Sequence, residues 1–193
     1  MARRRSQITF IGEEIVIVYD MDDYTLGYVA GFIDAEASFS VSLKLQPDLR
    51  HRVRPDPVFS ITQSNEDVLN FLRSVIECGR VIEKPGQRHL KILIIDNLDE
   101  LKDKLIPFLD KLNLKVKREQ YRIFREIVLK LANNRRKLTR EMLEEIIFLS
   151  FELSKLNPKS MRRRSLREIL EILNSGDEAA RPPGRKVAKC LVG

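Results

Sequence analysis

Between residues 37 and 46 apolar and polar positions alternate strictly: Phe39, Val41, Leu43 and Leu45 are separated by Ser40, Ser42 and Lys44. Successive strand side chains point to opposite faces, so this stretch reads as a strand with one face on a core and one polar, acid-free face. Pro47-Asp48 turns the chain, after which Arg50, Arg52 and Arg54 share one face of the next stretch. Pro55 and Pro57 bend or break it, and a strand resumes over residues 58–62. The spacing of Val68, Leu69, Leu72, Val75 and Ile76 predicts an amphipathic helix over residues 65–78, with Gly79 as its stop. Residues 80–84 and 88–95 read as two strands joined through Pro85-Gly86-Gln87.

On either side of this pattern the elements are helical. Asp22 or Asp23 is a candidate N-cap for a small, apolar run over residues 26–33 that ends at Asp34-Ala35-Glu36. Residues 98–112 form a helix that Pro107 kinks or breaks, and further helices cover residues 120–131, 140–156 and 165–173. Asn174-Ser175-Gly176 ends the last one. The β-branched stretch 8–19 reads as an added strand or hairpin before the core. The order α-β-β-α-β-β-α predicts an α+β fold: a four-stranded antiparallel sheet with helices on one face, extended by C-terminal helices. The divisions expected are an N-terminal extension (1–23), a core (24–157), a basic C-terminal helix (158–175) and a flexible tail (176–193) containing Pro182-Pro183-Gly184.

Composition adds a charge argument. The 193 residues hold 35 Lys and Arg against 28 Asp and Glu, a formal charge of +7, and 43% hydrophobic residues give a globular balance. A basic excess favours an acidic partner, nucleic acid first, although the clusters at Arg162, Arg163 and Arg164 and at Arg185 and Lys186 also suit a solvated surface. Cys78 and Cys190 are too few for a disulfide framework or zinc site. No apolar run reaches the roughly 18–20 residues of a membrane span, and Glu13 and Glu14 interrupt the stretch after the basic start, against a secretory signal. A protein without a membrane partner, working inside the cell, is expected. A saddle of strands with a basic polar face suits a DNA groove. The candidate readers are Ser38, Ser40, Ser42, Lys44 and Gln46; Arg50, Arg52 and Arg54; and Ser60, Thr62, Arg80, Lys84, His89 and Lys91.

One segment carries chemistry: Val29-Ala30-Gly31-Phe32-Ile33-Asp34-Ala35-Glu36-Ala37. Gly27, Ala30 and Gly31 leave one side of its helix without bulk, which permits a second helix to approach closely. Two such helices side by side would bring acids together at their base, as hard divalent cations require. The segment resembles the LAGLIDADG motif of homing endonucleases. The strand-end Ile61-Thr62-Gln63 and the region from Pro107-Phe108-Leu109 to Lys117 resemble that family too, in the right order, so that the likeness spans residues 24–156.

The resemblance implies a site-specific DNA endonuclease that uses Mg²⁺, with Mn²⁺ as a substitute, to hydrolyse phosphodiesters. One copy of the motif implies a homodimer joined through Gly27, Ala30, Gly31 and Asp34, each subunit cutting one strand of a long pseudo-palindromic site. By the same resemblance Glu36 is the metal ligand, helped by the Ala35 carbonyl, and Gln63 and Lys117 order the attacking water and stabilise charge at the phosphate. Lys115, two residues from Lys117, competes for that last role. Asp34 is implied to be structural rather than a ligand. Glu36 stands where Asp is commoner and Ala37 where the motif ends in Gly, so a backbone conformation easy for glycine must be open to alanine. An intron-encoded origin is implied, since no splicing domain is visible. The alternatives are a non-cleaving intron RNA maturase or DNA-binding regulator on the same fold, and a basic scaffold with only salt-sensitive binding.

Overall fold

The structure is a computed structural model that describes residues 4–11, 14–46, 48–49, 51–135, 137–157 and 164–179. Strands β1 (Arg4–Ile11) and β2 (Glu14–Met21) pair antiparallel as a separate two-stranded sheet. Helix α1 (Asp23–Glu36) starts where Asp22 accepts the Thr25 N–H at 2.9 Å, satisfying one of the free donors of a helix start. Strands β3 (Ala37–Leu45) and β4 (Val53–Gln63) follow, then helix α2 (Glu66–Ile76), capped by Asn65. Strands β5 (Arg80–Lys84) and β6 (Gln87–Ile95) close over a two-residue turn in which Gly86 takes φ 77°. A helical run over residues 98–109 comprises α3 (Leu98–Glu100), a π turn (Leu101–Leu105) and α4 (Ile106–Leu109). Helices α5 (Arg118–Asn133), α6 (Arg140–Lys155) and α7 (Leu166–Ala179) complete the described residues.

The four-stranded sheet is antiparallel throughout, in the order β3-β4-β6-β5, as the α+β reading expects. Its inner face supplies Phe39, Phe59, Ile61, Leu93 and Ile95, which pack on Val29 and Ile33 of α1, Leu69 and Leu72 of α2, and Phe124 and Ile127 of α5. The Phe39 ring sits 5.3 Å from both Phe59 and Phe124, joining two strands and a helix at one point. A second cluster joins Val53, Leu143, Ile147, Ile169 and Leu173, so α7 is docked through an apolar face onto α6 and the start of β4.

Several local expectations are corrected. Pro55 and Pro57 lie inside one continuous strand; β4 pairs with β6 only from Phe59 onward, so no N–H is required of either proline on the β6 side. Strand β4 begins at Val53, and Arg52 belongs to the preceding turn, with φ 56° and its carbonyl accepting the Gln46 N–H. Pro107 neither breaks nor ends the helical run: the Ile106 N–H reaches back to the Leu101 carbonyl, and this wide turn accommodates a proline that has no N–H to give. The run stops at Leu109 rather than at residue 112. Finally, α7 continues through Gly176 to Ala179. Glycine weakens a helix interior by about 1 kcal/mol but ends a helix only when a left-handed residue reverses the chain. That role falls to Glu77 after α2, at φ 62°, two residues before the expected stop at Gly79. The tail beyond residue 179 lies outside the described residues, as do Arg50 and the basic run 158–163.

Candidate active site and nucleic-acid face

Helix α1 ends at Glu36 because the chain passes directly into β3. Ala37 is extended at φ −70°, ψ 149°, and its N–H still donates to the Ile33 carbonyl. That conformation is open to any residue, so alanine replaces glycine here without strain. Glu36 and Ala35 are exposed at the helix end. The β3–β4 register pairs Ala37 with Ile61, which sets Gln63, two residues further along β4, level with the last turn of α1. Gln63 shares the helix-side parity of the buried Ile61 and is half-buried.

The third component arrives through Asp34. Its carboxylate accepts the Lys115 N–H at 2.6 Å and the Lys117 N–H at 3.0 Å, binding the loop before α5 to the end of α1. Burial pushes the Asp34 carboxyl up, but the backbone N–H groups of Lys115, Lys117 and Val116 and the Lys117 charge hold it below the ordinary carboxylate range. The start of α5 is fixed as well. Tyr121 donates to Asp110 at 2.5 Å and lies 3.1 Å from the Ile106 carbonyl, while Arg125 clamps the same carboxylate. Burial, then the bond to Asp110, pushes the Tyr121 phenol far up, so it stays a neutral donor. Glu36, Gln63 and Lys117, from three separate chain regions, are thus gathered at one end of α1. Lys115 is gathered with them, and Val116 between the two lysines is 80% exposed.

Both Asp34 oxygens accept backbone donors, whereas the Glu36 carboxylate stands exposed at this corner near the half-buried Gln63 amide, so these two side chains are the ones with oxygen to offer a cation. Among the described residues no group of three or more His, Cys, Asp or Glu side chains is placed to hold a metal ion. A single chain therefore supplies only part of a hard-cation shell. That suits a small divalent ion that keeps waters and takes phosphate oxygens from its substrate.

The opposite face of the sheet differs from its expected composition. Ser38, Ser40, Ser42 and Lys44 of β3, Arg54, Ser60 and Thr62 of β4, and Arg80 of β5 share its parity, while Lys84 lies past the register shift that follows Glu83. Acids lie there too. Asp56 accepts Lys44 at 2.5 Å and Arg54 through two bonds, at 2.8 and 3.1 Å, and Asp96 takes Arg80 the same way at 2.6 and 2.7 Å. Burial raises the Asp56 carboxyl, but Arg54 and Lys44 bring it below its ordinary range. Lys91 is corrected to the helix side: it has the parity of the buried Leu93 and lies 3.3 Å from Glu83 and 3.6 Å from Glu66. His89 falls in the irregular stretch where the β5–β6 register shifts after Glu83. Arg52 and Gln46 belong to the turn rather than to paired strand. In place of these residues the outer face carries Val58, Ile82, Ile92 and Ile94, which sequence reasoning missed. The run 90–95 is apolar at five of its six positions, Lys91 excepted, so alternation gives no parity there and only the pairing register does.

The exposed face of α1 is unusual in a different way. Val29 and Ile33 are fully buried, while Tyr24 is 82% and Tyr28 44% exposed on the other side. A Cβ placed on Gly27 or Gly31 of that side would meet nothing within 4 Å, so the packing of this chain does not require glycine at either position.

The chain is similar to known proteins. The family model of the LAGLIDADG endonucleases matches residues 29–128. The homing endonuclease I-ApeII of Aeropyrum pernix is 52% identical over 161 residues, 83% of this chain and 96% of that protein. The archaeal intron-encoded homing endonuclease I-Vdi141I, solved in complex with DNA, superposes with a TM-score of 0.78 at 42% identity over 81% of this chain and 98% of its own. The homing endonuclease I-TnaI superposes at 0.62 and 25% identity, covering 78% and 97%.

Proposed function

The chain belongs to the LAGLIDADG endonuclease family, and from that premise we propose that it is a homodimeric homing endonuclease that makes a double-strand break in a long pseudo-palindromic DNA site. The observation that carries this reading is the gathering of Glu36, Gln63 and Lys117 at the exposed end of α1, with the loop of Lys117 held there by Asp34.

Each residue contributes what its chemistry allows. The Glu36 carboxylate and the Ala35 carbonyl would hold Mg²⁺, or Mn²⁺ in its place. When bound, the ion supplies charge to the scissile phosphate and acidifies water. The Gln63 amide both donates and accepts, so it orients a water without taking its proton. The Lys117 ammonium offsets charge that accumulates on the phosphate oxygens, and its backbone N–H, fixed by Asp34, limits how far that charge can stray. The outer sheet face positions the duplex through Ser38, Ser40, Ser42, Lys44, Arg54, Ser60, Thr62 and Arg80, with the tied side chains of Lys44, Arg54 and Arg80 exchanging carboxylate for phosphate. Two copies meeting through Gly27, Ala30 and Gly31 would bring two Glu36 carboxylates together, one for each strand. The free glycine positions support that interface.

The test is cleavage of a randomised duplex library with Mg²⁺, sequencing new ends, with Glu36→Gln beside the native chain. Discrete paired cuts by the native chain alone are expected. Selection of the same DNA by both proteins without cutting would replace the nuclease by a regulator. Selection of no DNA would turn the reading to structured intron RNA.

A further inference from the structure

We infer that Ile82, Ile92 and Ile94 form a subsite on the outer sheet face that recognises the 5-methyl group of thymine in the DNA major groove; this rests on the endonuclease reading above. Strand β6 lies between β4 and β5, and its register sets Ile92 opposite both Thr62 and Ile82, and Ile94 opposite both Ser60 and Arg80. The alternate residues Leu93 and Ile95 are fully buried against the helices, so the three isoleucines share the other face. Directly opposed side chains on one sheet face stand about 5 Å apart, and successive ones along a strand about 6.8 Å, which makes the three a continuous patch.

This patch is at odds with its setting. Ile82 is 37% exposed, and Ile92 and Ile94 remain half-exposed although they shield one another. Around them the face is Ser60, Thr62 and Arg80, the last tied to Asp96, so the patch is ringed by small hydroxyls and an ion pair whose cation can turn to a phosphate rather than by an apolar protein surface. Among major-groove features, only the thymine methyl is apolar; the remaining edges are donors and acceptors that an isoleucine leaves unpaired. The spacing agrees: about 6.8 Å between Ile92 and Ile94 equals two base-pair steps of roughly 3.4 Å. Thr62 and Ser60, opposite Ile92 and Ile94, stand ready for the polar edges of the same pairs.

The experiment compares two versions of the duplex recovered by the cleavage selection, one with thymine and one with deoxyuridine in its place, which removes only the methyl groups. Binding is titrated with the full native chain, with Ile92→Val, and with Ile92→Ser/Ile94→Ser, each first checked for an unchanged thermal melt. The native chain is expected to bind the uridine duplex about fourfold more weakly for each methyl lost from the patch. Ile92→Val should show reduced discrimination and the double serine variant none. Equal binding of both duplexes by the native chain overturns the inference while leaving the endonuclease reading intact, as does full discrimination by the double variant. A double variant that changes only the sedimentation mass would assign the patch to a protein contact and also overturn it. If the selection recovers no DNA, both readings fall together.

Discussion

Asp34 shows how far a single side chain reaches. Two residues from Glu36, it spends both oxygens on backbone donors far along the chain. Asp34→Asn turns one acceptor into a donor facing an N–H, and the expected cost is about 1–3 kcal/mol in urea unfolding, with faster amide exchange at Lys115 and Lys117. The sign with pH follows from the direction of its shift. A carboxyl held lower in the folded chain than in the unfolded one stabilises above the unfolded value near 3.9, and that contribution is lost as pH falls through the folded value. Asp56, Asp96 and Asp110 share the direction, so acid titration should unfold the protein below about pH 4, with little change between pH 5 and 7. Asp34→Asn should flatten that acid limb. Gly79 is the other sensitive position: at φ 84°, an added Cβ would stand 2.6 Å from Ile95 Cγ1 and 2.7 Å from the Ile94 carbonyl. Gly79→Ala should therefore cost upwards of roughly 2 kcal/mol in the same assay.

Among the elements, α7 is the one whose apparent character misleads. Its sequence neighbourhood is basic, yet Ile169 and Leu173 are buried against Leu143, Ile147 and Val53. Leu173→Ala should lower stability by about 2–5 kcal/mol, read as a fall in the thermal midpoint, whereas a surface helix held only by charge would lose almost nothing. The helical run over residues 98–109 teaches a related lesson, since one π turn lets Pro107 remain inside it. Both cases show packing overruling a local propensity worth only about a kcal/mol or a few.

For the whole molecule the decisive feature is the exposed side of α1. Gly31→Leu should leave the melt of the single chain unchanged or raise it slightly, because glycine costs about 1 kcal/mol in a helix and no neighbour fills the space. On the proposed homodimer reading, the same substitution should abolish the dimer in light scattering and, with it, paired cutting of the two strands. Native DNA binding should also weaken steeply with salt, the logarithm of affinity falling linearly with that of salt concentration.

The alternation from Phe39 to Leu45, the stripe on α2 and the Pro85-Gly86 turn made the sheet and its helices legible in advance, because periodicity and turn chemistry are local properties of a chain. The motif around Glu36 was legible for the same reason, being contiguous. Which face the residues of β6 occupy was not, since the run 90–95 has no alternation to read, and only pairing with Thr62 and Ile82 turns Ile92 outward and Lys91 inward. Nor could the chain announce that Asp34 would hold a loop some eighty residues on, or that Asp56 and Asp96 would neutralise the arginines beside them. Long-range hydrogen bonds and ion pairs depend on where folding brings distant segments, and that is decided by the packing of the core rather than by any one stretch of sequence.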